Sequence, residues 1–217
     1  MSIKIVAGDI TGYEGDVIVN AANEVMLGGG GVDGAIHNAA GPALRKACEM
    51  VYADPVDAYG PGLRIEKGLR CATGGVIPTP AGNLKAKWVF HAVGPVWPTG
   101  CENEFCEGGP HLTRGDEARR LLSNCYRKSL LLAAAMDLKS IAFPAISTGV
   151  YGCPMETCAS IALISASIRA CAGLDITFYI HPAQHLGLWQ GTLAQIQDAA
   201  KWNPPPRKEP SDGRNSR

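Results

Sequence analysis

Residues 16–21, Asp-Val-Ile-Val-Asn-Ala, form an almost unbroken apolar run that leads through Asn23 into the consecutive glycines Gly28, Gly29, Gly30 and Gly31. Successive side chains of a strand point to opposite faces, so a run apolar at nearly every position predicts burial on both faces, as in a parallel sheet covered by helices on each side. Directly after the glycines, Val32-Asp33-Gly34-Ala35-Ile36-His37 reads as the first turns of a helix. Glycine loses more conformational freedom on folding than any other residue, so such a run answers a backbone requirement: positive φ, or close approach to a ligand. Standing between a strand and a helix, it presents free N–H groups and the positive end of the helix dipole, a cradle for an anion and most simply for a phosphate. Open α/β sheets bind ligands outside the carboxyl ends of their strands, which is where this run would stand.

The remainder of the chain repeats the pattern. Further strands are predicted at residues 3–7, 74–79, 87–93, 140–146 and 175–180, and helices at 35–40, 42–50, 116–136, 154–171 and 186–202. Their alternation predicts an α/β fold, a three-layer α/β/α sandwich with a mixed, largely parallel central sheet and right-handed crossovers. A second glycine-bearing turn, Ser147-Thr148-Gly149-Val150-Tyr151-Gly152-Cys153-Pro154, again joins strand to helix and reads as another phosphate-type loop. The 217 residues suit one domain over 1–202, with a surface loop at about 52–68, an insertion or lid at about 97–114 and a disordered Pro-rich tail at 203–217.

Composition excludes more than it selects. Lys plus Arg and Asp plus Glu balance at 20 each, so net charge supplies no attraction to nucleic acid or an anionic membrane, and neither is an expected partner. No apolar run approaches the roughly 20 residues of a membrane span, and the amino terminus lacks the order of a signal peptide, so a cytoplasmic, intracellular protein is expected. The 8 cysteines are scattered, unlike a secreted disulfide framework, and read mostly as small buried hydrophobes. Cys101, Cys106 and His111, with Cys71 as a fourth, match no standard zinc spacing, so no metal is expected.

Four ordered motifs then carry a resemblance: GDIT at 8–11, VIVNAANxxxxGGGGVDGAIHxAAGP at 17–42, FHAVGPVW at 90–97 and FPAISTGVYGxP at 143–154. Together they closely resemble the macrodomains, in particular the MacroD-type branch that includes bacterial ADP-ribosyl hydrolases. The resemblance implies ADP-ribose as ligand, with no cofactor. It implies that Asp9 accepts from the adenine amino group, helped by the Ile10 amide, although position alone makes Asp9 a turn or cap residue. Gly30, Gly31, Val32 and Asp33 would face Ser147, Thr148, Gly149, Val150 and Tyr151 across the diphosphate, and Tyr151 would also wall the distal ribose. Asn23 would hold the hydroxyls of that ribose, and Asp33 would orient and activate a water beside it. His181 is the candidate for stacking on adenine, with Tyr179 as the alternative if the alignment slips.

The implied reaction removes mono-ADP-ribose from acidic protein side chains, deacetylates O-acetyl-ADP-ribose, or both; the alternative is a non-catalytic reader of ADP-ribose or its polymer. ADP-ribose, O-acetyl-ADP-ribose and mono-ADP-ribosylated proteins are therefore the implied partners. The residues keep plainer readings beside these. From position, Asp33 is a dipole-favoured residue of a helix first turn, and Asn20 ties the two loops together rather than touching substrate. His37, four residues after Asp33 and so on the same helix face, either pairs with it or, the plainer reading, is a satisfied structural histidine. Cys153 stands where the family commonly has an aromatic residue, which would thin the wall beside Tyr151.

Overall fold

The computed structural model describes residues 2–51, 68–100, 113–167 and 173–201. The loop expected at 52–68, most of the 97–114 insertion, the tail at 203–217 and the end of the helix expected to reach 171 lie outside the described residues, as do Cys101, Cys106 and His111.

Six strands, β1 (Ser2–Ala7), β2 (Val17–Ala22), β3 (Val76–Pro80), β4 (Trp88–Val93), β5 (Ser140–Pro144) and β6 (Asp175–Ile180), form one sheet in the order β1-β6-β5-β2-β4-β3. Every neighbouring pair is parallel except β3 with β4. That exception follows from the connection: β3 and β4 are joined by a short turn closed by Ala81 N–H to Lys87 C=O at 3.2 Å, whereas a parallel pair needs a long crossover. Helices α1 (Gly31–Ala40) and α2 (Pro42–Glu49) cover one face, and α3 (Arg114–Ala135), α4 (Met155–Ala166) and α5 (Leu186–Lys201) the other. The three-layer α/β/α sandwich read from the sequence is the fold observed.

β2 shows why its sequence is apolar throughout. Val17 and Val19 pack among Tyr126, Phe143 and Phe178 under α3 and α4, while Ile18 and Ala22 pack against Ile36 and Leu44 of α1 and α2. Each fully buried valine, isoleucine, leucine or phenylalanine among them contributes on the order of 1.5–3 kcal/mol of transfer free energy. Two findings move expected boundaries. α3 begins two residues before the expected 116, because Thr113 and Asp116 form a capping box in which Thr113 Oγ1 accepts from Asp116 N–H and the Asp116 carboxylate from Thr113 N–H. β3 begins at Val76 rather than at residue 74, since Gly74 takes φ +79°.

Sheet topology also opens the site. β2 runs beside β4 for six paired residues but beside β5 for only two, Val17 with Ile141 and Ile18 with Ala142. Beyond Ile18 the two strands part, and both glycine turns leave the sheet at that gap.

Candidate active site

Most of the expected ligand residues gather at the carboxyl edge of the sheet. Asp9, Ile10, Gly31, Val32, Thr148, Gly149 and His181 line one pocket of about 530 Å³, completed by Tyr179 among others. Asn23 and Tyr151 instead line a smaller pocket of about 240 Å³. Gly30, Asp33, Ser147 and Val150 line neither: Asp33 and Ser147 are buried, and Val150, 99% exposed, turns its side chain to solvent and leaves its backbone as what it can offer a ligand. Both glycine turns thus border one cleft, α1 entering it with its N-terminus and Gly30 as the cap residue.

Asp33, in the first turn of α1, is 3% exposed. Its Oδ1 accepts from Asn20 Nδ2 at 2.6 Å and lies 3.5 Å from His37 Nε2. Its Oδ2 is buried without a hydrogen-bond partner. A methyl group built on Gly29 would stand 2.9 Å from that Oδ2 and 3.2 Å from Asn23 Nδ2, so the carboxylate and the Asn23 amide converge over Gly29, where no side chain intervenes. Burial pushes the Asp33 carboxyl above its ordinary range, while the Asn20 hydrogen bond and His37 pull the other way. Asn23 also builds the turn itself: its Oδ1 accepts from Val25 and Met26 N–H and its Nδ2 donates to Gly28 C=O, each at 3.1 Å.

Asn20 does more than tie loops together. Its Nδ2 also approaches Nδ1 of His91 at 3.2 Å, and His91 Nε2 stands 2.9 Å from Thr79 Oγ1. A carboxylate only accepts, which turns the Asn20 amino group toward Asp33; its second hydrogen then needs an unprotonated Nδ1, and His91 carries its proton on Nε2 and donates to Thr79. His91 is fully buried, and that burial drives its pKa down from 6.5 to about 3, so it stands neutral. Neither His91 nor Thr79 stood out in the sequence; the signal was the histidine of FHAVGPVW, on the strand paired with β2, where Asn20 faces His91 in register.

His37 fits neither sequence reading fully. Its Nε2 is buried, lies 3.5 Å from Asp33 Oδ1 and makes no hydrogen bond. Among the described residues, His37, Cys48 and His91 bring metal-capable atoms within 4.8 Å of one another. To bind an ion, His91 would have to give up its Nε2 contact with Thr79, and the Cys48 thiol, pushed up to about 11 by burial, would have to lose its proton. Cys71, considered above as a fourth zinc ligand, is buried in the core against Ala72.

At the far end of the cleft Asp9 serves as the cap its position suggested, Oδ1 accepting from Thr11 N–H at 2.9 Å, and it also borders the pocket. Tyr179 packs edge-on against Tyr13 at 6.1 Å, while His181 is exposed at the pocket rim, so both stacking candidates face the same space. Burial raises the Tyr151 hydroxyl's pKa, and the carboxylates of Glu24 and Asp33 add to it. Cys153 is buried rather than forming a wall of the cleft.

This geometry has company. A family model described as the Macro domain matches residues 19–162, a span that holds both glycine turns. A macro domain-containing protein of Vibrio parahaemolyticus is 43% identical over 194 residues, covering 89% of this chain and 98% of its own. The chain belongs to the macro domain family. An O-acetyl-ADP-ribose deacetylase of Salmonella newport is 47% identical over 165 residues, 76% of this chain and 77% of the enzyme. The Oceanobacillus iheyensis macrodomain, solved with ADP, superposes with a TM-score of 0.74 at 36% identity, covering 90% of this chain and 91% of that one. Among the described residues no helix is long and apolar enough to cross a membrane.

Proposed function

We propose that this macro domain binds ADP-ribose across the two glycine turns and hydrolyses an ester at its distal ribose, releasing acetate from O-acetyl-ADP-ribose or ADP-ribose from an acidic protein side chain. The observation that carries the reading is the buried, unpartnered Oδ2 of Asp33, converging with the Asn23 amide over Gly29. The relatives that bind ADP or act on O-acetyl-ADP-ribose support the ligand class. In the 530 Å³ pocket Asp9 and Ile10 would meet the adenine, with Tyr179 or His181 against its face, and the turn amides would meet the diphosphate. Asn23 and Tyr151 would hold the distal ribose.

For the acetyl ester, a water held by Asp33 Oδ2 attacks the acyl carbon and gives its proton to the carboxylate; the ester C–O bond then breaks and the ribose oxygen takes that proton as acetate leaves. Asn20 and His37 act on the other oxygen, Oδ1, and so fix the direction in which Oδ2 points. A base must be ionised to work, so the rate should rise with pH through the elevated pKa of Asp33.

Acetate release and ADP-ribose titration calorimetry, run together on wild type and Asp33→Ala, test this. Turnover should fall by about 100-fold or more in the variant, the usual worth of a positioned base, with ADP-ribose affinity within several-fold. Undiminished release by the variant overturns the mechanism, and tight binding with no release by wild type leaves a reader in place of a hydrolase.

A further inference from the structure

Only one orientation of the Asn20 amide can donate to Asp33, and the residue that holds that orientation lies outside the cleft. Asn20 Nδ2 reaches two acceptors, Asp33 Oδ1 at 2.6 Å and His91 Nδ1 at 3.2 Å, while Asn20 Oδ1 is buried without a hydrogen-bond partner. Among the described residues no hydrogen bond therefore holds the amide from its oxygen side. Turned over, the amide would set that oxygen against the Asp33 carboxylate and against the His91 lone pair, two acceptors that repel it. While Asp33 is ionised, both contacts oppose the turn. The hydrolysis proposed above puts a proton on Asp33 in every cycle, and the charge that strengthens its bond from Asn20 is then lost. His91 Nδ1 is the contact that remains.

His91 is itself fixed from elements behind the site. Its Nε2 stands 2.9 Å from Thr79 Oγ1 of β3 and 3.5 Å from Cys48 Sγ of α2, and none of the three residues lines the two pockets of the cleft. We infer that His91, with Thr79 behind it, is a positioning residue for Asp33: it accepts the second amino hydrogen of Asn20, keeps the amide donating to Oδ1, and so leaves Oδ2 turned toward the water. The inference rests on the hydrolysis proposed above for its effect on rate, but not for its effect on the carboxylate. The titratable groups around Asp33 are His37 on its own helix, Cys48 on α2, His91 on β4 and Tyr151 from the second turn. Burial raises the Asp33 pKa and the Asn20 hydrogen bond lowers it. Loosening Asn20 should therefore raise it further and move the acid limb of the rate profile to higher pH.

The test follows three readouts in wild type, His91→Asn, His91→Gln and Thr79→Val: acetate release from O-acetyl-ADP-ribose across pH, ADP-ribose affinity by calorimetry, and the Asp33 carboxyl by carbon NMR titration of isotope-labelled aspartate, assigned against Asp33→Asn. An Asn side chain places its oxygen where the Nδ1 acceptor of a histidine lies, whereas Gln reaches the Nε2 position and leaves Nδ1 unreplaced. His91→Gln fills the space better, yet should lose about tenfold in kcat and shift the Asp33 carboxyl upward by about one pH unit. His91→Asn should stay within about threefold of wild type and shift little. Thr79→Val should move both quantities in the direction of His91→Gln, and ADP-ribose affinity should stay within about threefold throughout. A purely structural histidine predicts the reverse order, Asn worse than Gln and no change in the carboxyl, and that result overturns the inference. An unmoved carboxyl in both His91→Gln and Thr79→Val overturns it as well. Should wild type release no acetate, the functional reading falls, and the carboxyl titration still decides the role of His91.

Discussion

Gly29 is the smallest part of the site and sets its central spacing. The Asp33 carboxylate and the Asn23 amide are brought together by different means, one by a helix first turn and the other by a side-chain-stabilised loop, and both end within 3.2 Å of the point where a Gly29 Cβ would stand. Gly29 is not among the positive-φ residues, so alanine there carries no conformational strain and acts through its methyl group alone. Gly29→Ala should therefore fold with a stability change within about 1 kcal/mol, yet lose on the order of 100-fold in acetate release as the methyl displaces the carboxylate, the amide or the water between them. Urea denaturation and an acetate assay on the same preparation check this, and full activity in the variant would mean that the two groups do not act on one shared point. Asp33 and Asn23 were legible because they sit within one contiguous motif. Asn20, His91 and Thr79 were not, since their hydrogen bonds join residues 71 and 12 positions apart and only strand pairing brings them together.

Between elements, the critical contact is that of the end of β4 with the turn after β5. The turn is pinned from below, where Ile146 N–H donates to the Tyr126 hydroxyl at 3.0 Å, and closed on itself by Cys153 N–H to Ser147 C=O at 2.9 Å. Ser147 holds φ +66°, a left-handed conformation uncommon for a residue with a side chain, and its buried Oγ lacks a partner. Gly94, immediately after β4, leaves room for it: a Cβ there would stand 2.6 Å from Ile146 Cγ2 and overlap Ser147 Oγ. Gly94→Ala should accordingly cost about 1–3 kcal/mol and displace the turn, lowering ADP-ribose affinity by about tenfold or more. Unchanged affinity by calorimetry would show that the turn does not need this seat. Strand and helix order could be read from periodicity because burial repeats with the backbone. The ends of β5 and α3 were misplaced because buried Ile146 continues the apolar run after the strand has stopped, and because the Thr113 cap lies in a stretch with no apolar period.

At the scale of the whole molecule, the polar network below the cleft links stability to pH. His91 is crossed by β2, β3 and α2 through Asn20, Thr79 and Cys48, with His37 the titratable ring beside it and Asp33 the charge beyond Asn20. Its pKa is depressed from 6.5 to about 3, so the stability it contributes is fully present above pH 6.5 and drains away as pH falls toward 3, where the unfolded chain binds a proton that the folded chain refuses. Asp33 acts with the opposite sign: its raised pKa means that the folded state takes up a proton more readily than the unfolded chain, so its cost is relieved on acidification. Asp16, lowered first by its hydrogen bond from Lys87, loses its contribution only as pH falls into the carboxylate range. Between pH 6.5 and 5 the His91 effect should therefore lead, at about 1.4 kcal/mol for each pH unit and about 2 kcal/mol in all. Urea denaturation of wild type and His91→Gln at pH 7 and pH 5 isolates it: the variant begins less stable, having lost a well-placed ring, but its stability should change less over that interval than that of wild type. Equal slopes would place the acid-labile group elsewhere and would mean that His91 does not stand neutral beneath Asn20.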